Sequence, residues 1–503
     1  MPKYFSVEEA VEKIAAEDSD TEVEPVQLVI LPPEDVNCAT DEEDIDDDVL
    51  QDVQVSDVPG FVEIHRRDDV QLEIPPSSST STDSQKRPQK KQRCAPSWKK
   101  GEDLKKTNVS GKDTCEPQPL EETHPMLADL DPIDLFGLFF DEIIVKICVD
   151  ETNKYAFQKG NHNFNISKNE MKTFLAILLL SGYHTLPNER LYWSTDEDAG
   201  VSAVYEKMSR NRFQEIKRFF HLADNSSLDS TDKLAKLRPL LEKFQENLLQ
   251  FGVFEKDLSL DEQMIPYYGK HSCKMFIKGK PVKFGYKVWV LASSDGFPFR
   301  FEVYTGKKTE GSNLTLGEQV VLNLTDCLDA KEIHTLYMDR FFSSTSLFRK
   351  LKTEHNLKCT GTVLENRTER CPLLSKQEVK KQPRGFHSSF TDGDVVVCQW
   401  NDNRPVVALS NFESVNPIQS ASRWVSKEKQ RSNVPMPYLI HRYNLKMGGV
   451  DLLDRFLSDY RPQLRSKKWW WNIFSNFLNM AVVAGWRLHR SLNGNLSHLD
   501  FRR

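Results

Sequence analysis

The chain has 503 residues, 39% of them hydrophobic, enough apolar material for about two to four domains. No run of 18 apolar residues occurs, which excludes a helix spanning a membrane, and no basic stretch precedes an apolar one at the N-terminus, so no secretory signal is expected. Nine scattered cysteines with no CxxC pair argue against a disulfide framework, leave no zinc site evident and fit reduced thiols.

The net charge of −7 hides a polarity. Residues 1–83 hold 24 acidic and 4 basic side chains, a balance of −20, so residues 84–503 carry the difference, +13. A basic body suits contact with nucleic acid; an ordinary soluble protein with an acidic tail would show the same balance.

Residues 1–128 read as a disordered acidic tail. The run at 41–48, Asp-Glu-Glu-Asp-Ile-Asp-Asp-Asp, repels itself and buries nothing. A basic cluster follows at 86–93, the kind of sequence that import receptors or phosphates read, so a nuclear location is expected. Helical spacing then begins near Pro132 with Phe136, Phe139, Phe140, Ile143, Ile144 and Ile147. Ser167 and Glu170 form a capping box for a helix that should stop at Ser181-Gly182. Further helices are expected over 212–220 and 236–249, the latter with Pro239 in its first turn. These make a helical domain over 129–256.

The texture changes at 257. A strand should run from Leu258 toward Asp261; others are expected over 286–292, 299–304, 333–338 and 357–363, with a helix over 343–354. That is an α/β domain over 257–365. Residues 366–436 break the pattern with a turn at Asp392-Gly393 and two short strands, a β-rich insertion; the scaffold resumes over 437–457. From Gly449 the chain is helical, and 458–503 returns to the helical domain. Three adjacent tryptophans, Trp469, Trp470 and Trp471, cannot all face one way, which leaves one free to face DNA or a partner.

Three acids end or follow apolar runs: Asp261, Asp339 and Asp451, with Asp454 one turn after the last. Hard carboxylate oxygens suit Mg²⁺ or Mn²⁺, and two such ions about 4 Å apart can activate an attacking oxygen and stabilise a leaving one in phosphodiester chemistry. The chemical reading makes Asp261, Asp339 and Asp451 the metal ligands, with Asp454 beside them and Glu262 pointing away. Solvent-facing acids with no shared role are the other reading. Basic residues flank these acids. Lys270, Lys274, Lys278, Lys280 and Lys283 follow the first, and Arg461, Arg465, Lys467 and Lys468 follow the last. They are the candidates for gripping phosphates; a solvated basic face is the alternative.

Four stretches carry a resemblance: Leu-Ser-Leu-Asp-Glu-Gln-Met-Ile-Pro at 258–266, Lys-Pro-Val-Lys-Phe-Gly-Tyr-Lys at 280–287, Tyr-Met-Asp-Arg-Phe-Phe-Ser-Ser at 337–344 and Tyr-Asn-Leu-Lys-Met-Gly-Gly-Val-Asp-Leu-Leu-Asp at 443–454. In that order they resemble the piggyBac transposase family, including its piggyBac transposable element-derived proteins, from about residue 130 onward. The resemblance implies an RNase H-like catalytic domain interrupted by a β-rich insertion and flanked by an α-helical dimerisation and DNA-binding domain. It implies that Asp261, Asp339 and Asp451 are the catalytic triad, with Asp454 as a further acidic position. It also implies a homodimer on double-stranded DNA, cutting and pasting at TTAA targets with divalent metal through hairpin ends. Family transposases usually finish with a cysteine-rich zinc module, whereas no cysteine follows Cys398. The expectation is therefore divided. The chain is either a transposase-derived enzyme with a Mg²⁺-dependent cleavage and strand-transfer site or a domesticated DNA-binding, chromatin-associated protein without turnover. It is a truncated form or a relative that has lost the module.

Overall fold

The computed structural model describes residues 96–101, 104 and 115–503, except 197, 278–279, 307–313 and 426–428, and the backbone of two short strands, Gln27–Ile30 and Val62–His65. The acidic run at 41–48 and the basic cluster at 86–93 lie outside the described residues. Helical structure starts before the expected tail ends: Leu120–Thr123 and Pro125–Asp129 are helical turns, because Leu120 and Leu127 find apolar partners and are buried.

The longer helices that follow are α1 (Pro132–Phe139), α2 (Glu142–Gln158), α3 (Lys168–Leu180), α4 (Arg210–Phe219) and α5 (Arg238–Leu248). The single apolar stripe expected over 136–147 is two helices, because Asp141 accepts from the amides of Ile143 and Ile144 and starts a new one. The capping box is present at Ser167 and Glu170.

The sheet begins with β1 (Asp257–Pro266), β2 (Lys274–Ile277), β3 (Phe284–Ser293) and β4 (Pro298–Val303). After α6 (Leu316–Thr325) comes β5 (Thr335–Met338), then α7 (Thr345–Glu354) and β6 (Lys358–Thr362). β3 is antiparallel to β1, β2 and β4, whereas β1, β5 and β6 lie parallel. An antiparallel meander feeding two parallel crossovers is the arrangement of an RNase H-like core.

The insertion extends the same sheet. β7 (His387–Thr391), β8 (Val396–Asn401) and β9 (Pro405–Ser410) form a meander, and β9 pairs antiparallel with β6. β8 is buried on both faces: Val397, like Val395 just before the strand, enters the main core, while Val396 and Cys398 enter a smaller one. β10 (Gln419–Val425) and β11 (Gln430–Met436) form a separate two-stranded ribbon. Then come α8 (Tyr438–Lys446), α9 (Gly449–Asp459) and α10 (Trp471–Ser491).

α10 returns to the first helices. Trp470, Trp471 and Phe474 pack on Phe220, and Trp471 reaches Phe174, so 129–256 and 458–503 share one core. None of the three tryptophans faces solvent: Trp469 is 8% exposed, Trp470 0% and Trp471 1%. Burying an aromatic ring outweighs exposing it: Trp470 and Trp471 share the wall of Phe220, and Trp469 stacks on His271.

Candidate active site

β1 carries the site. Ser259, Asp261 and Gln263 alternate onto one face of the strand. Leu260 pairs with Met338 as the last parallel partners of β1 and β5. Asp261 and Asp339 each follow that pair, near enough for the Asp339 charge to raise the Asp261 carboxyl. This is the carboxyl end of β5, where open α/β sheets hold ligands.

The helix bearing the other two acids is seated on that face. Ser259 Oγ donates to Met447 O at 2.5 Å. A Cβ on Gly449 would stand 2.0 Å from Ser293 O and 3.0 Å from Ser259 Cβ, so only glycine lets α9 approach β1 and β3 so closely. Asp451 lies in the first turn of α9, exposed, where the helix dipole favours an acid. Asp454 is half-buried one turn later. Burial pushes its carboxyl up to about 6, helped by Asp451 and opposed by a hydrogen bond from Gln263 and by Lys280 and Arg461.

The four aspartates thus share a neighbourhood, and two other side chains sense it. Lys280 Nζ donates to Glu262 O at 3.2 Å and stands 3.9 Å from Glu262 Oε1. Burial alone would lower the Lys280 ammonium, but Asp261, Glu262, Asp451 and Asp454 together raise it. Burial raises the Tyr443 hydroxyl; Asp339, Asp261 and Asp451 push the same way, and a hydrogen bond with Thr362 opposes them. Burial, then the Glu262 and Asp339 charges and a hydrogen bond with Glu262, hold the Asp261 carboxyl well above the ordinary range, with Lys280 opposing.

The carboxylates are nonetheless engaged locally. Asp261 Oδ1 accepts from the Glu262 amide at 2.8 Å, and Asp339 Oδ1 from the Phe341 amide at 2.8 Å. Asp454 is bonded to Gln263. The donor chemistry would suit Mg²⁺ or Mn²⁺, but among the described residues no group of three or more His, Cys, Asp or Glu side chains is arranged to hold a metal ion. Glu262 departs from expectation. Its carboxyl lies beside that of Asp261 because the Asp261 side chain turns toward the following amide.

The basic residues divide. Lys270, Lys283 and Lys467 are exposed; Lys280, Arg461 and Arg465 are half-buried; Lys278 lies outside the described residues. Two do not reach the surface. Lys274, 5% exposed, donates to Tyr268 O at 2.9 Å and Gly269 O at 3.0 Å. Lys468, 7% exposed, donates to Lys217 O and Arg218 O at 2.9 Å and Phe220 O at 2.8 Å. An ammonium removed from water takes whatever carbonyls are at hand, and Lys468 caps the open C-terminal end of α4. Both are corrected from phosphate contacts to structural ties. Sequence reading also passed over Ser259, Gln263 and Gly449; the alternation of β1 and the paired glycines before α9 were the available signals.

Residues 131–486 match the family described as Transposase IS4. PiggyBac transposable element-derived protein 3 of Homo sapiens is 32% identical over 100% of this chain and 87% of its own length. The chain belongs to the piggyBac transposable element-derived family. PiggyBac transposable element-derived protein 2 of Homo sapiens is 35% identical over 75% of this chain and 64% of that protein. A solved piggyBac transposase, in a synaptic complex with hairpin DNA, shares the fold: TM-score 0.62 and 22% identity, over 75% of this chain and 80% of that one. This piggyBac-derived chain thus has the mixed α/β fold of that transposase, with four aspartates around one sheet end. No helix among its described residues is long and apolar enough to cross a membrane.

Proposed function

We propose that this piggyBac-derived protein is a nuclear, DNA-binding, chromatin-associated protein that has been domesticated away from transposition. Its basic body, 84–503, holds double-stranded DNA, and the helical unit built from 129–256 and 458–503 supports a homodimer. One observation carries the absence of turnover. Asp261 and Asp339 each give one carboxylate oxygen to a following backbone amide, Asp454 is bonded to Gln263, Lys280 supplies positive charge among them, and among the described residues no group of three or more ligands is arranged for a metal.

The retained acids favour a second reading, a Mg²⁺-dependent DNA cleavage and strand-transfer site. Asp261 and Asp339 each follow the last paired residues of β1 and β5, and Asp451 is carried by a helix seated on the same face. Asp261, Asp339, Asp451 and Asp454 would then be the catalytic acids. The two readings separate on supercoiled plasmid bearing TTAA sites, incubated with Mg²⁺ or Mn²⁺. The first predicts salt-sensitive retention of DNA and no more nicking than Asp261→Ala gives. Nicking by the unaltered protein that Asp261→Ala abolishes would establish the second.

A further inference from the structure

The β10–β11 ribbon belongs to none of the chemistry above. It pairs in unbroken register from Gln419 with Met436 to Val425 with Gln430 and joins no other strand among the described residues. Alternation gives it two unlike faces. Ala421, Val434 and Met436 face inward and are buried in the smaller core. The opposite face carries Ser420, Ser422 and Trp424 across from Pro435, Asn433 and Arg431, all exposed. Trp424 is 58% exposed and directly opposite Arg431.

This face is tied to the body of the protein at its base. Trp400 Nε1 donates to Pro435 O at 2.8 Å, and Arg384 donates to Trp424 O at 3.4 Å. Arg384 and Arg423 share the Asp402 carboxylate, at 2.6 and 3.0 Å, beneath it. A Cβ on Gly385 would come within 2.7 Å of Pro435 Cδ, so the ribbon's base is in close contact with the sheet it leaves. Trp424 is presented to solvent from a ribbon tied to the neighbouring sheet.

We infer that the outer face of the β10–β11 ribbon is a contact surface for duplex DNA, an inference that rests on the DNA-binding reading above. Its six residues include no acid. Arg431 offers a guanidinium fork, and Ser420, Ser422 and Asn433 offer the small donors that meet phosphate and sugar. A two-stranded ribbon fits the major groove, which is about 12 Å wide. Trp424 supplies a flat apolar surface for the sugars along the groove wall. A protein partner fits less well. A stable interface buries about 800 Å² on each side around an apolar centre, and this face, two strands wide, offers one large apolar side chain.

The test is fluorescence polarisation of a labelled duplex titrated with the full chain at several salt concentrations. Trp424→Ala should weaken binding about tenfold, as loss of an aromatic anchor does, and leave the salt slope unchanged. Arg431→Ala should flatten the slope of log K against log salt by about one, the signature of one lost phosphate contact. Trp424→Phe, which keeps a ring, should restore most of the affinity. Both alanine variants binding with wild-type affinity and slope would overturn the ribbon while leaving DNA binding intact. Loss in Trp424→Phe equal to that in Trp424→Ala would overturn the role given to the ring. Absence of salt-sensitive binding by the unaltered chain would remove both the ribbon and the reading beneath it.

Discussion

Adding one methyl group at Gly449 should dislodge the acidic helix, whereas the same change one residue earlier should do almost nothing. The Cβ of Gly449→Ala would lie 2.0 Å from Ser293 O, a backbone atom that cannot swing aside. Ordinary contact requires α9 to retreat by roughly an ångström or more. That movement takes Met447 O out of reach of Ser259 Oγ, now at 2.5 Å. The lost hydrogen bond is worth about 1 kcal/mol and forced overpacking about 1–3 kcal/mol, so Gly449→Ala should cost about 2–4 kcal/mol. Gly448→Ala meets nothing within 4 Å and its φ of −75° suits any residue, so it should stay within about 0.5 kcal/mol of the parent. Urea unfolding followed by tryptophan fluorescence measures both. Equal stability of the two variants would refute the seating of α9 on β1, and with it the placement of Asp451 and Asp454.

Two further perturbations test other contacts. Lys468→Met should cost about 3–5 kcal/mol in urea unfolding, because three carbonyls at the end of α4 lose a buried charged donor; a variant of unchanged stability with a flatter salt slope in DNA binding would return Lys468 to the phosphate contacts. Asp454→Asn should stabilise at pH 7–8 by about 1–3 kcal/mol, because burial pushes the folded carboxyl up to about 6, above the ordinary aspartate range of about 4. A raised acid binds its proton more tightly when folded, so the parent gains stability as pH falls from about 6 to about 4, and the advantage of asparagine should vanish across that window; unfolding curves with a constant difference from pH 4 to 8 would contradict it.

What the sequence disclosed depended on how local the signal was. Ser167 and Glu170 are three residues apart, and the capping box they announce is present. Thr315 and Glu318 form another that went unread, because α6 follows residues with no apolar periodicity. The order of strands and acids along β1 and β5 was legible, since apolar runs end at aspartates. Their engagement was not, because it turns on which way each carboxylate rotates toward a neighbouring amide. Lys274 and Lys468 read as surface charge because their carbonyl partners come from the fold; Lys468 meets residues about 250 positions earlier. The ribbon escaped notice because Gln419–Val425 is mostly small and polar, and burial on only one side leaves little apolar pattern to detect.

Divalent-cation binding tests the central claim most directly. With duplex DNA present, Mn²⁺ retained by the unaltered chain is compared with that retained by Asp261→Ala and Asp339→Ala, using the paramagnetic signal of the free ion. If the carboxylates stay with their amide donors and Lys280, all three proteins should hold the same Mn²⁺. A site present in the unaltered chain and lost in both variants would contradict the account and restore the metal-dependent reading.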